Sequence, residues 1–494
     1  MKKIILYYLL VVASFCVTAQ SPSLVNKPPA LQIIKEADLK KDIYDLAGPH
    51  FNGRSAGTID ELKASMWLAT KFSQIGLTPG GDDGTYFQFF NTWRNRIATN
   101  SWITINDHRL QLWKDVAISQ MAEKDIDTSV LYLGNAAEID FSHIDVKGKI
   151  VSLEATTRGI SLDISLPTWR YSRLMMTRYG TQLINKGAVG IIFIADEYGE
   201  RCWADATENF KRGNYDIEGG PNAIVTSEVP VIWVHANMKP VLTQDNVKLK
   251  ARIIVERFEY PSVNIIGMLK GTNNNLSNEF LLYSGHQDAH GIRNVIKGDS
   301  IYYGADDNAS VDVAMLAIAR AFKKNPGKRS VIFVIHGAEE RGLLGSRWYV
   351  AHSTIPGKKI IAVLNGDMIG RNNPDSASLL GVQPPHRNST ELVDMALAAN
   401  NEGPQFKLDT SWDRPTHPEG WYFRSDHLPY ARAGIPALMF TTLIHPDYHT
   451  PQDRADGIDI PKLKRMTEWL YRTGWKVVNA PRAPALEKNF KLER

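Results

Sequence analysis

The sequence is short of cysteine, since Cys16 and Cys202 are the only two in 494 residues. Cys16 lies in an N-terminal segment that we expect to be removed, so the mature chain would keep one thiol and could form no internal disulfide. Stability must then come from a large core or from bound metal. We expect Cys202 to be a packed thiol and not a nucleophile.

The chain also lacks a strong excess of charge and a second long apolar run. Its net charge of +4 is small for this length, so composition gives no reason to expect a nucleic-acid partner or a membrane surface. No later stretch is apolar enough to cross a bilayer, and we expect no stable membrane insertion. The sequence has no HExxH, which argues against a thermolysin-type zinc site. The GxSxG spacing occurs at residues 53–57, but there it lies in a glycine-marked loop after a helical pattern and not after a strand, which argues against a serine-hydrolase elbow.

The N-terminus reads as a secretory signal. Lys2 and Lys3 precede the apolar run 4–17, and Val17-Thr18-Ala19 offers a small-residue cleavage site. We therefore predict a signal peptide over residues 1–19 and export to the periplasm or the medium. A retained anchor is the alternative, although the run is shorter than the roughly 20 residues of a membrane span.

A chain of this length favours two domains. Residues 103–255 hold short strand-like runs separated by Asp, Gly and Asn, which is typical of a β-rich accessory domain. From Pro261 onward strands alternate with helices, and this predicts an α/β fold with a mostly parallel sheet flanked by helices. The predicted boundaries are 1–19 for the signal peptide, 31–102 and 256–480 for the two parts of the main domain, 103–255 for the insert and 481–494 for a polar tail.

One stretch stands out in the main domain. The buried-strand run 331–335 stops at two adjacent carboxylates, Glu339 and Glu340, followed by a glycine-punctuated turn. In open α/β sheets, ligands bind just beyond the carboxyl ends of such strands. The pair alone is more often solvated charge, so its meaning depends on other acids and histidines that follow strands.

Five such groups follow strands or open helices in this half of the chain: His286, Asp306, Glu340, Asp367 and His449. Imidazole and carboxylate ligands without thiolates suit Zn²⁺, with Mn²⁺ and Co²⁺ as alternatives. One catalytic zinc needs only three protein ligands. We therefore predict two metals that share a bridging carboxylate, Asp306.

The neighbours of these groups suggest further roles. Glu339, beside Glu340 but not a ligand, is the predicted general base. Asp288 could accept the proton of the second ring nitrogen of His286 and so fix its tautomer. A water bridging two metals has a pKa lowered towards about 7, so the expected nucleophile is a metal-bridging hydroxide whose proton Glu339 takes.

The motifs GHQDAH, GADDNAS, GAEERGLLGS, NGDMIG, SDH and PDYHT, in that order, resemble those of the M28 family of dizinc metallopeptidases, which includes bacterial aminopeptidases. The resemblance covers about residues 42–90 and 263–476, and the segment between resembles the protease-associated insert of many members. It implies a zinc-peptidase fold and a peptide substrate.

The resemblance also assigns residues. It implies that His286 and Asp367 bind one zinc, that Glu340 and His449 bind the other, and that Asp306 bridges them. It makes Tyr448 a candidate to stabilise the oxyanion, and it places a cis peptide bond after the bridging Asp, at Asp306-Asp307. Val311 departs from the pattern, since relatives often have Gly there.

The expected function is an exported zinc-dependent aminopeptidase. Alternatives on the same fold are a carboxypeptidase, for which Arg371, Arg414 and Arg424 could bind the substrate carboxylate, and a glutaminyl cyclase, whose relatives use one zinc. A receptor-like binding protein is the non-catalytic alternative, and it would be expected to lose ligands or the base. The sequence leaves the oligomeric state and the side-chain preference open.

Overall fold

The computed structural model describes residues 27–355 and 359–493 of the chain. The predicted signal peptide, residues 1–19, lies outside the described residues. No helix within them has the length and apolar character that crossing a membrane requires.

The α-helices are α1 Glu36–Leu46, α2 Ile59–Ile75, α3 Pro167–Met175, α4 Thr181–Asn185, α5 Glu197–Arg212, α6 Lys239–Leu242, α7 Ser310–Lys324, α8 Leu344–Ala351, α9 Thr390–Asn401, α10 His427–Arg432 and α11 Ile460–Asn479. The strands are β1 Thr78–Pro79, β2 Phe87–Ile97, β3 Trp102–Ile105, β4 His108–Leu110, β5 Val116–Gln120, β6 Lys124–Asn135, β7 Ile150–Glu154, β8 Gly190–Ile194, β9 Asn214–Ile217, β10 Val231–Val234, β11 Lys248–Ile253, β12 Val255–Leu269, β13 Phe280–His286, β14 Gly291–Ile296, β15 Asp299–Tyr302, β16 Ser330–His336, β17 Ile360–Gly366, β18 Ser376–Leu380, β19 Lys407–Leu408 and β20 Ala437–Thr441.

The larger sheet has the strand order β19-β18-β20-β17-β13-β16-β12-β2-β9, and β1 pairs with β12. Its central strands β20, β17, β13 and β16 run parallel. The prediction of a mostly parallel sheet was wrong at the flanks, where β12 is antiparallel to both β16 and β2, and β18 to β20. The sheet is mixed because β2 and β12 form an antiparallel ribbon, which needs no crossover helix.

The ribbon marks where the chain leaves the larger sheet and returns to it. Val255, the first residue of β12, pairs with Ile97, the last residue of β2. The intervening chain forms an eight-stranded sheet of order β4-β3-β11-β6-β7-β8-β10-β5. It also holds α3 to α6, so this stretch is less purely β than its sequence predicts. Its strand β9 pairs with β2 at the edge of the larger sheet.

The main core lies between the larger sheet and the helices α1, α2, α7 and α11, with Leu39, Phe72, Leu316 and Leu470 among its buried residues. Helix α7 is buried along nearly its whole length, as its apolar sequence predicts. The Thr58 side chain caps the first turn of helix α2, and Gly76 ends the helix with a left-handed φ of 81°.

The segment after α11 returns onto α9. The Glu487 carboxylate accepts a hydrogen bond from Arg387 Nε at 2.8 Å, and the Ala485 amide donates to Glu391 at 2.9 Å. Residues 481–493 therefore contact the main domain instead of extending from it as a free tail. Cys202 is a buried free thiol, as expected.

Two glycines at the ends of parallel strands make room for Val311, the residue at which the sequence departs from the family pattern. A β-carbon on Gly285 would lie 2.6 Å from Val311 Cγ1, and one on Gly366 would lie 2.8 Å from the same atom. These glycines adjoin His286 and Asp367. Helix α7 can thus pack close beneath the strand ends that carry the candidate site.

We predict that Gly285→Ala destabilises the protein by about 1–3 kcal/mol, because it overpacks this contact. Adding Val311→Ala should recover part of that loss, since it removes the atom that clashes. Thermal unfolding of the two single variants and the double variant measures the coupling. Additive losses in the double variant would contradict the packing argument.

Candidate metal centre

The predicted site residues come together because the central strands are parallel. His286 ends β13, Glu339 and Glu340 form a 3₁₀ turn after β16, and Asp367 follows β17 directly. The carboxyl ends of β13, β16 and β17 lie at one edge of the sheet. The loops before α7 and α11 bring in the remaining acid and imidazole.

The first cluster of candidate ligands consists of His286, Asp307 and Asp367, whose ligand atoms all lie within 4.8 Å of one another. His286 Nε2 is 3.3 Å from Asp307 Oδ1 and 4.0 Å from Asp367 Oδ2. All three residues are buried. One imidazole and two carboxylates form a donor set that suits a divalent cation.

The second cluster consists of His290, Glu340 and His449. His449 Nε2 lies 3.1 Å from Glu340 Oε1, and His290 Nε2 lies 3.4 Å from Glu340 Oε2. The two imidazole rings meet edge to face, with centroids 4.0 Å apart. His449 Nε2 also lies 3.0 Å from Asp307 Oδ2, so Asp307 presents one oxygen to each cluster.

The position predicted for Asp306 is therefore held by its neighbour Asp307. The Asp306 carboxylate turns the other way: its Oδ1 accepts a hydrogen bond of 2.6 Å from the Gly370 amide, and its Oδ2 lies 3.6 Å from His445 Nε2. Consecutive side chains in this turn point to different sides, so only one acid can face both clusters. The cis peptide bond is also one residue later, at Asp307-Asn308.

Asp288 has a different contact from the predicted one. Its carboxylate is 3.7 Å from His286 Nδ1, too far for a hydrogen bond, and the Asp288 backbone carbonyl is the closer partner at 3.1 Å. The carboxylate instead accepts from the amides of Glu339 at 2.9 Å and Glu340 at 3.3 Å. Asp288 thus fixes the imidazole through its backbone and the Glu339-Glu340 turn through its side chain.

The electrostatics of the site fit a bound cation. Burial and the charge of Asp307 raise the pKa of Asp367 to about 7. Burial alone would raise the pKa of Asp307 too, but the imidazoles of His286 and His449 hold it below its ordinary value. A cation placed among these carboxylates would stabilise their charged forms.

Unpaired atoms point to the same conclusion. In residues 27–355 and 359–493, Nε2 of His286 and both ring nitrogens of His290 are buried without a hydrogen-bond partner. Burial and the positive charge of His449 lower the pKa of His290 well below its ordinary value, which favours the neutral imidazole that ligates metals. The residues present therefore fit metal ions in both clusters.

Glu339 lies beside the first cluster without being part of it. Its Oε2 is 3.7 Å from His286 Nε2, and the side chain is buried. Burial raises the pKa of Glu339 well above its ordinary value, and the nearby Glu340, Asp426 and Asp367 charges act in the same direction. A carboxyl with a raised pKa next to a cation site is suited to proton transfer.

Tyr448 lies under the second cluster, with its ring 3.7 Å from that of His449. Arg424 Nη2 donates to the phenol oxygen at 2.9 Å, which leaves the phenol hydrogen free to be donated elsewhere. Burial raises the Tyr448 pKa well above its usual value, so the phenol keeps that hydrogen. Arg424 is itself held by Glu419 at 2.6 Å.

The chain that forms the smaller sheet reaches this region. Ser165 Oγ donates to Glu419 Oε2 at 2.7 Å, and Arg170 Nη1 lies 3.6 Å from the same oxygen. Glu419 therefore joins residues of the smaller-sheet segment to Arg424 and, through it, to Tyr448.

The sequence did not predict two residues of the candidate site, Asp307 and His290. Asp307 and Asp306 have the same side chain at adjacent positions, and only the backbone of the turn separates their roles. His290 was visible as the second histidine of GHQDAH, four residues after His286. Because β13 ends at His286, His290 lies beyond the strand, and the strand pattern does not predict where its side chain lies.

The family model and the relatives that match this chain agree with one another. A family model described as peptidase family M28 matches residues 264–473. Aminopeptidase YwaD of Bacillus subtilis (strain 168) is 28% identical over 277 residues, which cover 54% of this chain and 55% of that protein. Leucine aminopeptidase 1 of Trichophyton rubrum is 25% identical over 300 residues, 57% of this chain and 74% of that protein. The chain thus spans about half to three-quarters of the length of these curated relatives.

Solved structures show the same fold. An aminopeptidase from Aneurinibacillus sp. strain AM-1 superposes with a TM-score of 0.57 at 19% identity, over 94% of this chain and 97% of that chain. BSAP, a zinc aminopeptidase from Bacillus subtilis, gives 0.57 at 20% identity, over 93% and 99%. At such identities the likeness establishes the mixed α/β fold.

The geometry predicts that two isosteric variants differ in metal content. Asp307→Asn should lower the number of divalent ions retained per chain, because it removes the charge shared by both clusters. Asp306→Asn should retain the wild-type number, because an amide oxygen can still accept from Gly370. Elemental analysis after dialysis measures both. Equal loss in the two variants would contradict the assignment of Asp307.

Proposed function

Because residues 264–473 form a peptidase family M28 domain, we propose that this protein is a zinc-dependent exopeptidase that removes N-terminal residues from peptides. The observation that carries the proposal is Asp307, which presents one carboxylate oxygen to each of two clusters of candidate ligands, with Glu339 next to them. Two of its relatives are named as aminopeptidases, and this supports the same activity.

Two zinc ions fit the donor sets, with Mn²⁺ or Co²⁺ as alternatives. His286 and Asp367 would hold one ion, Glu340, His449 and His290 the other, and Asp307 both. Zinc would supply the polarisation of a peptide carbonyl and the acidification of a water molecule at neutral pH. The second cluster carries one imidazole more than the sequence-based ligand set.

Glu339 is the proposed general base. Its carboxylate takes a proton from the attacking water and returns it to the amine that leaves. The Asp288 carboxylate holds the backbone amide of Glu339 and so fixes where the base lies. Bound cations would lower the Glu339 pKa, and this would release the base from the proton that burial favours.

Tyr448 is the proposed oxyanion donor. Its hydroxyl oxygen accepts from Arg424, so its own hydrogen is available to be donated to the substrate carbonyl. Such a donor stabilises the negative charge that develops on the carbonyl oxygen and contributes on the order of 100- to 1000-fold to turnover.

We also propose that residues 103–255 are a protease-associated insert and that the protein is exported. The antiparallel ribbon of β2 and β12 supports the first, because the chain leaves and re-enters the larger sheet at paired residues. The composition of residues 1–19 supports the second.

The carboxypeptidase alternative receives no support from two of its three candidate arginines. Arg371 is paired with Asp447 and Arg424 with Glu419, so each of these guanidinium groups already has a carboxylate partner.

The function is tested by incubating the zinc-loaded protein with peptides that have a free N-terminus, an N-acetyl block or a C-terminal amide. We expect release of N-terminal residues from the free and the amidated peptides, none from the acetylated ones, and loss of activity after chelation. Cleavage of acetylated peptides from the C-terminus would instead establish a carboxypeptidase. No hydrolysis of any peptide would overturn the proposal.

Glu339→Gln should keep the metal and lose nearly all turnover, since the amide fills the same space but cannot take a proton. We expect kcat to fall by at least about 1000-fold, with the zinc content of the wild type. Asp60→Asn is a matched control that should leave kcat unchanged, because Asp60 lies in the first turn of α2 and pairs with Lys63. Substantial activity in Glu339→Gln would remove Glu339 from the base role.

A further inference from the structure

A cavity of about 410 Å³ lies next to the candidate metal centre. Glu340 and Arg341 line one side, and residues from β5, α3 and α5 of the smaller-sheet segment line the other. Because Glu340 belongs to the second cluster of candidate ligands, this cavity adjoins the proposed site of hydrolysis. A peptide held there would extend into it.

The charge around this cavity is unusual. Three arginines line it, Arg173, Arg212 and Arg341, and Glu340 is the one acid in its lining. Glu340 is already engaged with His290 and His449. Within residues 27–355 and 359–493, no carboxylate lies within 4.0 Å of these three guanidinium groups. The walls therefore carry three positive charges, none of which is in direct contact with a carboxylate.

Two of the arginines leave donors unused. Arg212 Nη2 donates to Asn209 Oδ1 at 3.1 Å, but its Nε and Nη1 are buried and unpaired in the part of the chain the structure describes. Arg341 Nη2 donates to Ser55 Oγ at 3.1 Å, and its Nε is likewise unpaired. Buried donors of a charged group without partners are costly, and a ligand that pairs with them recovers that cost.

The arginines also repel one another. Burial and the charges of Arg341 and Arg293 lower the pKa of Arg212 well below its ordinary value. Arg293 Nη2 shares the acceptor Asn209 Oδ1 with Arg212, at 3.2 Å, and the carboxylate of Asp205 is 4.0 Å from the same nitrogen. An anion among these groups would relieve this repulsion.

We propose that the cavity is a carboxylate-binding subsite in which Arg341 and Arg212 hold an anionic group of the peptide and Arg173 attracts it at the mouth. This proposal rests on the proposed function, because it assumes a peptide at the metal centre. A guanidinium matches a carboxylate with two parallel hydrogen bonds, which a neutral amide cannot replace. The enzyme thus favours peptides with a carboxylate close to the bond that is cut.

Two sources could supply that carboxylate: an acidic side chain near the N-terminus, or the C-terminal carboxylate of a di- or tripeptide. Matched substrates separate them. Glu-Ala-Ala-amide against Gln-Ala-Ala-amide tests the side chain, and Ala-Ala-Ala against Ala-Ala-Ala-amide tests the C-terminus. We expect kcat/KM to be about tenfold or more higher for the carboxylate member of at least one pair.

The variants are Arg173→Gln, Arg212→Gln and Arg341→Gln. Arg201→Gln is the control, because Arg201 lies on α5 as Arg212 does but is exposed and paired with Glu197. Each test variant should lower kcat/KM about tenfold for the preferred carboxylate substrate, mainly by raising KM. For the matching amide substrate, kcat/KM should change by less than about twofold. Arg341→Lys should lose less than Arg341→Gln, because lysine keeps the positive charge although it lacks the paired donors of the guanidinium.

Binding of Glu-Ala-Ala-amide and Gln-Ala-Ala-amide to the Glu339→Gln variant, measured by calorimetry, tests the subsite without turnover. Tighter binding of the Glu peptide, or the same preference for Ala-Ala-Ala over its amide, supports the subsite even if no peptide is hydrolysed. Equal binding within both pairs would overturn it. So would equal losses on carboxylate and amide substrates in all three arginine variants, because these would show a structural role.

Discussion

The carboxylate of Asp307, held between two imidazoles, is the interaction on which the rest of the site depends. Its oxygens lie 3.3 Å from His286 Nε2 and 3.0 Å from His449 Nε2. One imidazole ends a central strand and the other lies in a loop far along the chain. The charge of Asp307 thus joins two clusters that would otherwise be separate, and the proposed pair of metals follows from that geometry.

The surroundings hold this geometry in place. The Asp453 carboxylate accepts from the backbone amides of Asp306, at 2.9 Å, and Asp307, at 3.1 Å, and so orients the turn. Asp288 does the same for the turn of Glu339 and Glu340. Each of these acids acts on the backbone of a neighbouring segment. Together they fix the orientation of the turns that carry the site residues, which the strand ends alone would not determine.

The sequence predicted the elements of the site better than their orientation. Helix α2 and the central strands follow from apolar periodicity, and the order of motifs locates Glu339, Glu340, Asp367 and His449 at one sheet edge. Periodicity could not distinguish Asp306 from Asp307, because the backbone of a turn decides which acid faces inward. The antiparallel flanks of the sheet and the arginines of the cavity depend on contacts between distant segments. Local sequence patterns do not indicate such contacts.

We infer that Asp307 joins two metal sites, and anomalous diffraction from crystals of the zinc-loaded protein is the direct test of this inference. We expect two peaks about 3.5–4 Å apart, one on each side of the Asp307 carboxylate. One peak would adjoin His286 and Asp367, and the other Glu340, His449 and His290. A single peak, or a pair that contacts Asp306 and not Asp307, would contradict it.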